Sequence, residues 1–194
     1  DPKKVEFNIY AGIEKHFLPG IVTAFAKTIV STRLNRESKG MRDWIEDPSK
    51  YEKYCDSGML LIKMEIYTGF IPEWLSEDDV RRLDRKLRRR IIIDEGDLEG
   101  GKGISGRESI EMFNAFYNRC KNLDDLIGIE NLVEFFSQSE YKDKIPDDFL
   151  KALEKLYDYT LLQEIEESMF YYNLDQISSD IMDYLFAITD RKST

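Results

Sequence analysis

The residues whose types and spacing could do chemistry lie between Gly96 and Ser109. The run Gly96-Asp97-Leu98-Glu99-Gly100-Gly101-Lys102 has the Gly-x-x-x-x-Gly-Lys spacing of a Walker A loop. In such a loop backbone amides wrap the phosphates and the lysine meets their charge. The chemistry also needs a strand feeding the loop and a hydroxyl residue after the lysine to hold magnesium. Here Gly103 stands at the hydroxyl position, and Asp94, Asp97 and Glu99 put negative charge where phosphate would sit. The first half of the stretch therefore reads as a mobile acidic linker.

The second half, Gly103-Ile104-Ser105-Gly106-Arg107-Glu108-Ser109, reads differently. Ser105-x-x-Glu108 is a capping box, so a helix starts here with Arg107 in its first turn. A guanidinium beside a helix N-terminus can meet phosphate oxygens offered by a neighbouring domain. Ser105 and Arg107 are thus candidate nucleotide-sensing residues. The plainer alternative is that Arg107 pairs with a nearby surface acid.

A second cluster is electrostatic. Arg81, Arg82, Arg85, Lys86, Arg88, Arg89 and Arg90 place seven bases in ten positions. Clustered bases attract phosphate backbones. The run lacks interleaved aromatics for base stacking, and the chain around it is acidic, with 28 bases against 38 acids and a net charge of −10. The run is therefore expected to be a solvated face or a docking patch for an acidic neighbour, not a nucleic-acid site.

Other chemistry is excluded by its ingredients. The single histidine, His16, cannot supply a multi-histidine metal site or a His-Glu-His protease motif, and beside Phe17 it reads as a surface or capping residue. No Gly-x-Ser-x-Gly elbow is present, and neither His-Arg-Asp nor Asp-Phe-Gly occurs. Glu164, Glu166 and Glu167 read as a solvated helix face. No catalytic residue and no metal ligand is assigned. Cys55 and Cys120 are far apart and read as reduced, packed thiols.

The elements that must position these residues are helical. Pro19-Gly20 opens a helix carrying Ile21, Val22, Phe25, Ile29 and Val30, with Arg33 and Arg36 near its negative pole. A second region starts near Met41, breaks at Pro48 and resumes over 49–67, ending at Gly69. Ser76 caps a third helix with Glu77, Asp78 and Asp79 in its first turn, predicted to run to about Arg90. After the glycine stretch come helices carrying Ile110, Phe113, Phe116 and Tyr117, then Ile129, Leu132, Val133 and Phe136. A long one follows Pro146, with Phe149 to Met169 on its face, and Asn173 with Gln176 caps a last one. Only Val5, Phe7 and Ile9 alternate as a short strand would.

The fold expected is all-α, with two helical lobes, residues 1–95 and 96–194, joined by the glycine-rich linker. Apolar residues at 42% are enough for a sizeable core, and no apolar run is long enough to span a bilayer. A cytoplasmic protein with no membrane partner is expected. A start at Asp1 suggests a piece of something longer.

Several segments carry a family resemblance. His16-Phe17-Leu18-Pro19-Gly20 through Ser31-Thr32-Arg33-Leu34 resembles the lid region of PrkA-type serine protein kinases, bacterial proteins with an AAA+-like ATPase module. Met64-Glu65-Ile66-Tyr67-Thr68-Gly69 and the Gly103–Ser109 run follow in the family's order. So do Tyr157 to Glu164, Tyr171-Tyr172-Asn173 and Tyr184-Leu185-Phe186-Ala187-Ile188. The resemblance implies the C-terminal lid and helical part of a larger ATP-dependent kinase. ATP and magnesium would then be held mainly by an N-terminal module outside these residues, and none is expected on this fragment alone. Arg107 would act as a sensor-2-like contact. The partners implied are that AAA+ module and a protein substrate or regulator, with homo-oligomers allowed. The competing reading is a helical interaction module with no nucleotide role, docking through the 81–90 run or Phe170-Tyr171-Tyr172.

Overall fold

The computed structural model describes residues 14–94, 96, 99–122 and 125–190. Among the described residues eight α-helices follow one another: α1 Ile21–Ser31, α2 Lys39–Trp44, α3 Leu60–Thr68, α4 Glu77–Arg82, α5 Arg85–Arg89, α6 Gly106–Cys120, α7 Ile129–Gln138 and α8 Phe149–Asp190. Short 3-10 turns cover Glu14–His16, Pro48–Tyr51 and Lys142–Lys144, and a π-helical segment spans Arg90–Asp94. Among the described residues the only extended pairing is an isolated bridge between Phe17 and Ile127. The all-α expectation holds. The strand expected at Val5, Phe7 and Ile9 lies outside the described residues.

The core is aromatic and gathers residues from both sides of the glycine stretch. On α1, Ile21, Ala24, Phe25 and Ile29 are buried, while Val22 and Val30 stay exposed. The Phe25 ring lies 5.3 Å from Phe113, 5.8 Å from Phe116 and 5.2 Å from Phe136, joining α1 to α6 and α7. Phe17 adds a stacked contact to Phe113. Such ring pairs contribute roughly 1 kcal/mol each beyond the area they bury. Thr28 and Ser31 remain buried because their hydroxyls donate to Ala24 O and Thr28 O inside the helix.

A second cluster is held by one carboxylate. Asp79 on α4 accepts from Tyr51 Oη at 2.5 Å and from Ser76 Oγ at 2.9 Å, and its backbone carbonyl accepts from Trp44 Nε1 at 2.6 Å. Trp44 is fully buried. Burial pulls the Asp79 carboxyl upward, but the bonds from Tyr51 and Ser76, with Lys50 and Arg82 nearby, hold it below its ordinary range.

Compact packing runs through the described residues up to Tyr157, and Asp158 onward forms a second unit. The units thus divide at Tyr157. The second unit is the rest of α8, a helix rich in exposed apolar side chains.

Three helix boundaries differ from the expectation. The region over 49–67 is not one helix: α3 begins only at Leu60, where Asp56 accepts from Leu60 N and Leu61 N at 3.0 Å each. The helix from Ser76 does not reach Arg90, because Asp84 starts a new one by accepting from Leu87 N at 2.7 Å. Asn173 and Gln176 do not cap a separate helix. They lie inside α8, where Gln176 Nε2 donates to Asp180.

Candidate functional site

The glycine stretch is stitched into the compact unit at the residues the structure describes. Glu99 accepts from Lys63 Nζ at 2.5 Å, from Tyr67 Oη at 2.6 Å and from Asn35 N at 2.7 Å. The Lys63 side chain is 0% exposed and that of Glu99 is 6% exposed, so this is a buried ion pair bridging α3 to the stretch. Two buried charges are tolerable only when each is matched and hydrogen-bonded. Arg33, just past the end of α1, donates through Nη2 to Gly100 O at 2.7 Å and through Nη1 to Ile104 O at 3.3 Å. Arg33 and Arg36 therefore do more than face the negative pole of α1: Arg36 reaches Lys144 O at 2.8 Å. The mobile acidic linker expected here is corrected at Glu99 and Gly100, because a carboxylate that neutralises a buried ammonium cannot also be solvated.

Gly103 explains why glycine is needed beside the cap. Its φ is +86°, and a Cβ there would meet Thr32 O at 2.3 Å. This close approach lets Ile104 N donate to Thr32 Oγ1 at 3.0 Å and buries Ile104 completely. The residue that occupies the Walker A hydroxyl position is a packing residue.

The capping box forms as its spacing predicts. Ser105 Oγ accepts from Glu108 N at 3.2 Å, and Glu108 Oε2 accepts from Ser105 N at 2.7 Å. The backbone amide and hydroxyl of Ser105 hold the Glu108 carboxyl below its ordinary range. Arg107 projects from the first turn with its side chain 91% exposed, and its Nε lies 3.4 Å from Glu111 Oε1. The surface pairing foreseen as the plain alternative is thus present, in an exposed geometry worth a fraction of a kcal/mol.

The basic run is divided by its own acid, Asp84. Arg81 pairs with Glu77 at 2.8 Å and Arg82 with Glu46 at 2.7 Å, while Arg90 pairs with Asp43. These three arginines brace α4 and the π-helical segment against local acids. Arg85, Lys86 and Arg89 face solvent from α5, and Arg88 lies beside Gly69.

The model of the PrkA serine protein kinase C-terminal domain matches residues 61–191, more than half of the chain. The chain belongs to the PrkA serine protein kinase C-terminal domain family. No curated protein and no solved structure is found to match it. The matched span begins inside α3 and takes in Lys63, Glu99, the capping box, Arg107 and α8. Helices α1 and α2, with Arg33 and Arg36, precede it.

Two features of this PrkA C-terminal domain were not foreseen as sites. One is the Lys63–Glu99 pair, whose only sequence signal is a lysine inside the apolar run Leu60-Leu61-Ile62-Lys63-Met64. The other is the Cys55–Asp56 corner, beside a recess of about 320 Å³ lined by Glu52, Asp148, Lys151 and Lys155. Desolvation pushes both the Cys55 thiol and the Asp56 carboxyl up, with Asp56 also raising Cys55. Both cysteines are free and buried, as expected. Among the described residues no group of His, Cys, Asp and Glu is arranged to hold a metal ion, and no helix is long and apolar enough to cross a membrane.

Proposed function

We propose that this chain is the lid and regulatory region of an ATP-dependent, PrkA-like serine protein kinase acting in the cytoplasm. It would close over ATP and magnesium held by an AAA+-like module outside these residues, with Arg107 as the contact to the nucleotide phosphates. The observation that carries the reading is Arg107 itself: a 91% exposed guanidinium fixed in the first turn of a capped helix. Among the described residues it pairs with a solvent-screened acid on the same helix, so exchanging Glu111 for phosphate oxygens costs little. Membership of the PrkA family supports the parent class.

The test is Arg107→Ala in the full-length protein. ATP turnover should fall by about tenfold or more, the equivalent of one charge-assisted bond at roughly 1.4 kcal/mol per decade. Unchanged turnover would remove the nucleotide role. The 194-residue chain alone should neither hydrolyse ATP nor phosphorylate protein, and activity in it would contradict the division of labour.

One observation favours a second reading, a helical interaction module. Phe170, Tyr171 and Tyr172 on α8 are 60%, 65% and 70% exposed, a run of rings that a partner could bury. Under that reading Phe170→Ser with Tyr172→Ser abolishes partner capture while Arg107→Ala changes nothing.

A further inference from the structure

The acids of this chain outnumber its bases by ten, so a place where bases gather with no ion-paired acid among the described residues calls for an explanation. Such a place is a recess of about 430 Å³ between the end of α1 and the glycine stretch, lined by Thr32, Arg33, Asn35, Arg36, Glu99 and Lys102. Its volume falls in the range of small-ligand sites, roughly 300–1,000 Å³.

The two arginines are fixed by carbonyls, which orient a guanidinium without cancelling its charge. Arg33 is held by Gly100 O and Ile104 O, and Arg36 by Lys144 O. Among the described residues neither arginine, nor Lys102, has an acid within ion-pair distance. A guanidinium carries five N–H donors, so Arg33 and Arg36 both keep donors in hand after these bonds. The one acid in the lining, Glu99, is committed to Lys63, Tyr67 and Asn35 N. Its charge is balanced from behind, and among the described residues three basic side chains remain on the recess without an ion-pair partner.

We infer that this recess binds a phosphoryl group, with Arg33 and Arg36 as the pre-oriented forks and Lys102 as a mobile point charge. Arginine forks suit the planar pairs of oxygens a phosphoryl group offers, and an ammonium adds charge without fixed geometry. Lys102 thereby meets phosphate by a different route from the Walker A one, with arginine side chains in place of loop amides. The inference does not rest on the Arg107 reading, since Arg107 is not among the lining residues.

The experiment titrates the 194-residue chain with sodium pyrophosphate in one arm and a phosphoserine peptide in the other, following amide NMR signals. Saturable shifts are expected at residues 33–36 and 99–102, weakened about tenfold by Lys102→Glu and again by Arg36→Gln. Lys102 is exposed, so its variant should keep the parent melting temperature, and Lys102→Ala serves if the charge reversal does not fold. Tighter binding of pyrophosphate assigns a free or nucleotide phosphate, and tighter binding of the peptide assigns a phosphorylated side chain. No saturable shift from either probe, or shifts that the Lys102 and Arg36 variants leave intact, overturns the inference.

Discussion

Glu99 and Lys63 lie thirty-six positions apart in the chain and meet as a buried pair. Removing Lys63 leaves the Glu99 carboxylate in a dry site without its counter-charge, which costs about 3–5 kcal/mol when a buried pair is broken. Lys63→Ala should therefore lower unfolding stability by roughly 3 kcal/mol in a urea titration. Lys63→Met combined with Glu99→Leu replaces both charges with apolar volume and should recover most of that loss, as such replacements commonly do. A double variant no more stable than Lys63→Ala would show that the pair's charge is not what matters.

Asp79 gives the residue scale its pH dependence. Its carboxyl is held low in the folded chain, so the unfolded chain takes up the proton first as the solution is acidified. The stability it contributes is fully present above the ordinary carboxylate range and is lost as pH falls through its depressed folded value. Asp56, raised by burial, has the opposite sign and costs stability as pH rises through its raised value. Asp79→Asn should thus be less stable than the parent by about 1–2 kcal/mol at pH 7. That gap should narrow on acidification, read from urea midpoints at pH 7 and pH 3.

At the scale of elements, what the sequence made legible was local chemistry, and what it hid was contact at a distance. Ser76 and Ser105 cap the helices they were expected to cap, since a hydroxyl and an amide three residues on need no tertiary help. The break at Asp84 was obscured because Leu83 and Leu87 keep helical spacing across it. The late start of α3 was obscured because Tyr51 and Tyr54 also fall at helical intervals, while their rings pack on Trp74 instead. Asn173 resembles a cap, yet α8 continues through it. Arg107 and Ser105 were legible as a pair on one helix start. Lys63, Arg33 and Arg36 were not, because their partners lie 36, 67 and 108 positions away.

The distal part of α8 carries an element-scale prediction. From Asp158 to Asp190 it holds eight acids and no base, and eleven of its described large apolar or aromatic side chains are exposed, from Leu174 at 45% to Tyr172 at 70%. Most helical stability in proteins comes from packing one face, which this unit lacks by itself. Hydrogen exchange on the isolated chain should be fast over 162–184 and slow in α1, α3 and α6. Equal protection along all of α8 would mean that the distal half is stabilised on its own.

For the whole molecule, the family places the chain in the C-terminal region of PrkA serine protein kinases, and the fold supplies a helical body with an exposed arginine at a capped helix start. In the function proposed above, this arginine serves a nucleotide bound elsewhere in the parent protein. The most direct measurement is steady-state ATP turnover of the full-length protein carrying Arg107→Ala beside Arg107→Lys and the parent. The account predicts a fall of about tenfold or more for alanine and partial rescue by lysine, because charge survives while the forked geometry does not. Parent-like turnover in the alanine variant, with its melting temperature unchanged, would contradict it.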